Sequence, residues 1–422
     1  MYIALVKGNF LKRIPDSFLL SYVIKGSRIA VKINESAYEI LKLCDGTKTI
    51  EELYDILQKK YREQINVVEE NVKLFLAPLF EAGIVEKIDT VEKREILKGS
   101  SSVYLPDTIS WELTDACPLR CRHCYLDKKD TMLLKEKEID RLINMFEYMG
   151  IQTIQLTGGE VFTYPYLNQI LEKLMKIKPN IVLSTSGYIF NDMVINILKK
   201  IKSINGGVRV SIDGLENTHN KIRMKKDAYA KSIAFIKNAV ALGIPCQVAT
   251  TLSEQSPNEI EELVKIVKDL GVSLHIISMV SIQGNAATNK VRSLYDQETL
   301  KNFLLELTEK YVDKNYKIQL PIKTDEKNCG AGYKLIRIRP NLDITPCPMN
   351  EQVIGNLYKE DINNIMIKRG KKYQKIESPN EKLCRQCSKK NICMKCMANA
   401  LENKENVENC YWYEENKNYL EV

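Results

Sequence analysis

No stretch of 18 or more apolar residues occurs in this chain of 422, which argues against a membrane-spanning helix. The N-terminal run Met1-Tyr2-Ile3-Ala4-Leu5-Val6-Lys7 also lacks the layout of a secretory signal. A cytoplasmic protein with no membrane partner is therefore expected. Internal repeats and low-complexity tracts are missing too. The excess of positive charge is modest, at +8. The basic runs Lys368-Arg369-Gly370-Lys371-Lys372 and Lys389-Lys390 carry no interleaved aromatics, so they read as solvated surface, and no nucleic-acid partner is expected. An acidic peptide would suit the same charge.

Hydrophobic content of 44% beside 27% charged residues supports a large core, and the length calls for two or three domains. Twelve cysteines are present, and a reducing compartment would keep them from forming disulfides. Three lie at 117–124 and seven at 329–410, while Cys44 and Cys246 stand alone in apolar settings. The two outliers read as small buried hydrophobes. Clustering of the other ten indicates metal ligation.

The most informative stretch is Trp111-Glu112-Leu113-Thr114-Asp115-Ala116-Cys117-Pro118-Leu119-Arg120-Cys121-Arg122-His123-Cys124. Its spacing, C-x3-C-x2-C, follows a short apolar run that reads as a strand. Three thiolates on a four-iron cube leave one iron open. An open iron can chelate the amino and carboxylate groups of S-adenosylmethionine (SAM) and deliver an electron to the sulfonium. The product is a 5′-deoxyadenosyl radical that takes hydrogen from unactivated carbon. Alone, the spacing also suits a zinc knuckle.

From residue 107 to 300 strand and helix patterns alternate. Strands are predicted at 109–113, 151–156, 181–185, 208–212, 247–251 and 274–279, with helical patterns such as 140–149, 191–201 and 232–242 between them. Six such units predict an α/β fold, a partial (β/α)6 barrel with its chemistry at the C-terminal strand ends. Candidate ligand contacts fall at those ends. Gly158-Gly159-Glu160 follows the second strand, its glycines admitting close backbone approach and its carboxylate accepting from an ammonium. Thr185 ends the third strand with a hydroxyl for ribose or carboxylate. Ser211 and Asp213 end the fourth, followed by His219, read as a local hydrogen-bonding partner, and Arg223. His275 reads as core.

Residues 1–92 read as a small α+β unit. A hairpin of 18–24 and 28–33 turns at Lys25-Gly26-Ser27, helices follow at 34–44, after Thr49 and at 68–82, and 84–86 returns as a strand. That order suggests a winged-helix shape. Residues 93–106 read as a polar linker, 301–328 as a bridging segment, and 329–422 as a cysteine-rich domain. In that last domain, Cys384, Cys387, Cys393 and Cys396 form C-x2-C-x5-C-x2-C, joined by Cys329, Cys347 and Cys410.

The cysteine loop with its GGE segment resembles the radical SAM superfamily, and the seven C-terminal cysteines resemble the SPASM extension. Ala37-Tyr38-Glu39-Ile40-Leu41, Cys44-Asp45-Gly46-Thr47-Lys48-Thr49-Ile50-Glu51-Glu52-Leu53 and Leu79-Phe80-Glu81-Ala82-Gly83 resemble the RiPP recognition element, a leader-peptide-binding domain. Asn328-Cys329-Gly330-Ala331-Gly332-Tyr333, Ile338-Arg339-Pro340 and Thr345-Pro346-Cys347 resemble the subtilosin-type sactipeptide maturases.

The resemblance implies three [4Fe–4S] clusters with SAM as cofactor. Cys117, Cys121 and Cys124 would hold the cluster that cleaves SAM. His123 would stack on adenine, although it also reads as an ordinary loop histidine, and Arg223 would pair with the SAM carboxylate. Cys384, Cys387, Cys393 and Cys410 would hold one auxiliary cluster, and Cys329, Cys347 and Cys396 the other. The fourth position of the latter falls in a region carrying Lys323, Asp325 and Glu326, and is expected to be an open iron. Two departures from the pattern stand out. Cys393 and Cys396 are one residue closer than usual, and Leu342 replaces a customary glycine. Where a basic residue is more usual in the family's adenine-side turn, this chain has Asn285.

The implied function is thioether crosslinking of a ribosomal precursor peptide, from cysteine sulfur to a carbon of an acceptor residue. The leader would add as a strand beside 28–33, the core peptide would contain cysteine, and flavodoxin or ferredoxin would donate electrons. The alternatives are another radical SAM peptide modification (a carbon–carbon link, a β- or γ-thioether, residue oxidation) and a peptide-binding metal protein without catalysis.

Overall fold

Thr49 shows how local chemistry sets the first elements. Its side chain accepts from the Glu52 amide while the Glu52 carboxylate accepts from the Thr49 amide, and this capping box opens the helix Ile50–Tyr61. Asn34 caps the helix Glu35–Lys42 in the same manner, by accepting from the Ala37 amide. Each such cap contributes about 1 kcal/mol. The structure is a computed structural model that describes residues 1–126, 133–204, 206–319, 327–393 and 395–420. Lys323, Asp325 and Glu326 lie outside the described residues. The chain divides into two compact units, the first comprising 1–108, 136–153 and 172–180, the second comprising 109–135, 154–171 and 181–422.

The first unit contains two sheets. Strands β1 (Tyr2–Leu5), β2 (Phe10–Ile14), β3 (Ser17–Ile24), β4 (Ser27–Ile33), β5 (Asp45–Thr49), β6 (Val85–Ile88) and β7 (Leu97–Gly99) appear in chain order. One sheet has the order β5-β1-β6 and the other β4-β3-β2-β7. The expected hairpin is β3–β4, turning at Lys25 and Gly26, both with positive φ. Its edge strand is β4. The third helix runs Ile65–Glu81. Leu41, Leu53, Leu57, Val72 and Leu76 from the three helices pack with Ile3, Leu5, Leu11 and Leu20 from the strands. Cys44 sits in that core, as read, with its thiol pushed up to about 12 by burial.

The sequence reading missed β1, β2, β5 and β7. Asp45–Thr49, read as a helix stop, is recruited as a strand by antiparallel pairing with β1. Within the expected linker, Leu97–Gly99 pairs parallel with β2. The buried Lys12 Nζ then fastens the following residues. It donates to the Leu105 and Pro106 carbonyls at 2.9 Å and pairs with Asp107 at 2.6 Å.

Strands β8 (Thr108–Glu112), β9 (Thr153–Thr157), β10 (Asn180–Thr185), β11 (Gly207–Ser211), β12 (Cys246–Leu252) and β13 (Leu274–Met279) match the six predicted strands to within about two residues. They lie side by side in sequence order. Strands β10 to β13 pair in parallel, and β14 (Lys317–Gln319), inside the expected bridging segment, extends that run. On the far side of β8 come β15 (Leu335–Ile338), β16 (Asp343–Thr345) and β17 (Gly355–Asn356), contributed by the cysteine-rich region. The sheet is therefore a ten-stranded open one, and the parallel barrel is partial as expected. Among the described residues no helix is long and apolar enough to cross a membrane.

Candidate active site

The cysteine loop leaves the C-terminal end of β8 and is held by backbone and amide contacts. The Gly159 amide donates to the Thr114 carbonyl at 2.6 Å and the Glu160 amide to the Ala116 carbonyl at 2.8 Å. A Cβ on Gly158 would stand 2.4 Å from the Thr114 oxygen, and one on Gly159 would stand 2.4 Å from the Ala116 oxygen. These glycines thus permit a close approach of the backbone of the cysteine loop itself, in addition to the ligand approach expected from sequence. On the other flank, the Arg122 amide donates to the Ile222 carbonyl, Asn285 Nδ2 to the Cys121 carbonyl at 3.2 Å, and Asn289 Nδ2 to the Arg122 carbonyl at 3.0 Å. Asn285 therefore serves as a brace for the loop. Sequence reasoning had no signal for Asn289.

The other candidates divide into two buried groups. Glu160 is fully buried. One carboxylate oxygen accepts from Thr185 Oγ1 at 2.7 Å, and the other accepts from the Ser186 amide at 2.9 Å and from the Ser186 hydroxyl at 2.5 Å. In the second group, Asp213 lies 2.5 Å from Arg223 Nη2 and 3.5 Å from His123 Nε2, and accepts from the Thr251 amide. Burial alone would raise the Asp213 carboxyl, but the Arg223 guanidinium and the two imidazoles hold it below its ordinary value. Arg223 Nη1 also reaches Cys121 Sγ at 3.6 Å. Arg223 therefore contacts a cluster-loop thiol as well as its carboxylate partner. Burial and the Arg223 charge depress His123 to about 4, so its ring is neutral at pH 7. His219 Nδ1 accepts from the Asp213 amide, the local role read for it, and the buried His275 is hydrogen-bonded to Thr250 and Tyr316. Ser211 closes β11 half-buried.

The seven C-terminal cysteines fall into two neighbourhoods that share Cys396. Burial pushes the Cys393 thiol up to about 12, and the charges of Cys387, Cys410, Cys384 and Cys396 add to it. Burial pushes Cys347 up to about 12 as well, reinforced by Cys396 and Cys329. The division into 384/387/393/410 and 329/347/396 is a proposal from the family order, with Cys396 adjacent to both sets. Among the described residues, no three cysteine, histidine or acidic side chains converge as one metal ion would require. The donors are all thiols, Cys384 and Cys393 buried and the other five half-buried, and that donor chemistry fits the implied iron–sulfur clusters.

Local chemistry explains the Asn328–Tyr333 run. Asn328 donates to the Ile376 carbonyl at 2.6 Å and accepts from the Gly330 amide and the Tyr333 hydroxyl, folding the loop around Cys329. Gly332 has φ +85° and lies so close to the Tyr373 ring that a Cβ would stand 2.5 Å away. At the departure noted above, Leu342 does adopt φ +62°, a conformation that favours glycine. Its fully buried side chain offsets the strain.

This arrangement, three cysteines at the mouth of a parallel sheet with two further thiol groups beyond its edge, defines a radical SAM enzyme with an auxiliary-cluster domain. The radical SAM superfamily matches residues 111–273, the iron–sulfur cluster-binding SPASM domain residues 329–396, and the coenzyme PQQ synthesis protein D family residues 23–85. These three regions in one chain support a SAM-dependent, peptide-modifying enzyme of the radical SAM/SPASM kind, with [4Fe–4S] clusters as its implied cofactors.

Among its relatives is the antilisterial bacteriocin subtilosin biosynthesis protein AlbA of Bacillus subtilis. The two are 28% identical over 345 residues, covering 79% of this chain and 76% of AlbA. The sporulation killing factor maturation protein SkfB of the same organism is 25% identical, covering 64% and 67%. The fold is that of Streptococcus suis SuiB bound to its precursor peptide SuiA, with a TM-score of 0.69 at 16% identity, covering 95% and 97% of the chains.

Proposed function

We propose that this enzyme joins a cysteine sulfur to a carbon of an acceptor residue within a ribosomally made precursor peptide. The observation that carries the reading is the pairing of a three-cysteine loop with two separate cysteine groups in one unit, in a chain similar to AlbA over most of its length. Each link removes one hydrogen from carbon and one from sulfur. Bound SAM and its cluster supply hydrogen abstraction, and the auxiliary clusters supply a place for the surplus electron. The chain's own part is positional. Asn285, Asn289 and the Gly158–Glu160 backbone fix the cysteine loop, Arg223 sets positive charge against Cys121, and the buried strand ends exclude water.

The leader peptide adds to the free edge of β4. Arg28 is already satisfied there, because Asn180 Oδ1 accepts from its amide at 2.8 Å and Asn180 Nδ2 donates to its carbonyl at 2.9 Å. By the two-residue period of a strand, Ala30 and Lys32 present the next backbone groups to an incoming strand. Exposed Ile29 and Val31 lie on the same strand, and Leu74 is exposed on the third helix. A flavodoxin or ferredoxin is the proposed electron donor.

The test is tandem mass spectrometry of a cysteine-containing peptide encoded beside this gene, after anaerobic incubation with enzyme, SAM and reductant. Loss of two hydrogens per link with cysteines resistant to alkylation is expected. Hydrogen loss with every cysteine still alkylated would replace the thioether with a carbon-based link.

A further inference from the structure

One buried guanidinium stands between the two kinds of cysteine site. Arg337 lies on β15 and is 2% exposed, and its Nε is 2.8 Å from Oε1 of Glu112, which is 1% exposed on β8. Its Nη1 donates to Glu351 at 2.6 Å, and Glu351 also pairs with Arg339. The guanidinium lies 5.3 Å from the Tyr125 ring centre, and the Tyr125 hydroxyl donates to the same Glu112 oxygen at 2.8 Å.

The chain positions give this cluster its meaning. Glu112 ends the strand that enters the cysteine loop, and Tyr125 directly follows Cys124. Arg337 pairs across the hairpin with Thr345, two residues before Cys347, and Glu351 lies four residues after it. Both ends of the loop 113–124 and both flanks of Cys347 therefore meet at one side chain. A planar five-donor group suits that junction, since it can serve two carboxylates and a ring face together.

We propose that Arg337 is a positioning residue that sets the reduction potential of the auxiliary centre held by Cys329, Cys347 and Cys396 and fixes that centre against the cysteine loop. The inference rests on reading those three cysteines as cluster ligands. A fixed positive charge on the strand paired beside Cys347 stabilises the reduced, more negative state of a centre held there, and its removal drives the potential down.

The experiment is an EPR-monitored redox titration of the anaerobically reconstituted full-length enzyme. In Arg337→Gln the ratio of reduced to oxidised auxiliary centre at a fixed potential should fall about tenfold, or about 59 mV for a one-electron couple. Arg337→Lys should recover part of the shift. The double variant Arg337→Gln with Glu112→Gln removes one charge of each sign, leaves no buried charge unpaired, and should return the potential towards the parent value. An unchanged potential in Arg337→Gln with full iron content overturns the proposal, as does a double variant shifted as far as the single one. Iron and sulfide content of the parent protein tests the underlying reading separately: two clusters or fewer would remove the auxiliary centre itself.

Discussion

The two kinds of cysteine site share a tight turn, the Cys124 amide on the Cys121 carbonyl in one and its counterparts in the other, but differ in how much surrounds that turn. The loop at 117–124 lies between strand and helix and is held from outside, by the Gly158–Glu160 turn, the Ile222 carbonyl and the amides of Asn285 and Asn289. Its Cys117 and Cys124 remain half-buried. The C-terminal groups bind themselves through short turns, with the Cys387 amide on the Cys384 carbonyl and the Cys396 amide on the Cys393 carbonyl. There Cys384 and Cys393 are buried. Burial does not separate the two: Cys121 is buried in the loop, and Cys329, Cys347, Cys387, Cys396 and Cys410 are half-buried in the C-terminal region. What separates them is the reach of the contacts that hold each backbone.

Five variants test that contrast, from the largest expected effect to the smallest. Replacing Cys117, Cys121 and Cys124 together by Ala should abolish 5′-deoxyadenosine formation, measured chromatographically, while Cys384→Ala with Cys393→Ala should retain SAM cleavage and lose crosslinked product. Retained cleavage in the first variant would refute the assignment of the loop. Gly159→Ala should displace the loop, because its Cβ meets the Ala116 carbonyl, at a cost of about 1–3 kcal/mol; isothermal titration should then show SAM binding weakened by at least about tenfold.

Asn328→Ala leaves the buried Gly330 amide without its partner and should lower stability by about 1–3 kcal/mol in a denaturant titration, with SAM affinity unchanged. Ala30→Pro removes one outward amide at the β4 edge, where proline is tolerated. It should weaken leader-peptide binding by about 1 kcal/mol, read by fluorescence anisotropy, and leave SAM cleavage in the absence of peptide unaltered.

Legibility from sequence followed the range of the interactions. The six strands β8–β13 could be read because each is a short run of recurring apolar residues followed by its own helix. The start of a helix after Thr49 was equally plain. Strands β5 and β7 were missed because Asp45–Thr49 and Leu97–Gly99 are short and mostly polar, and are extended only through partners far along the chain. The grouping of the seven cysteines followed from family order. By contrast, the meeting of Glu112 with Arg337, 225 residues later, leaves no local trace. The glycines of the GGE segment were noticed, but not that the cysteine-loop backbone packs against them, because a sequence records that space is needed and not what fills it.

Cys393 and Cys396, expected in different thiol groups, stand three residues apart, with Lys395 between them in a left-handed conformation, φ +60°. Three residues of chain reach at most about 11 Å. Groups held at these two positions would be tethered within that reach by the backbone itself, whatever moves elsewhere in the molecule.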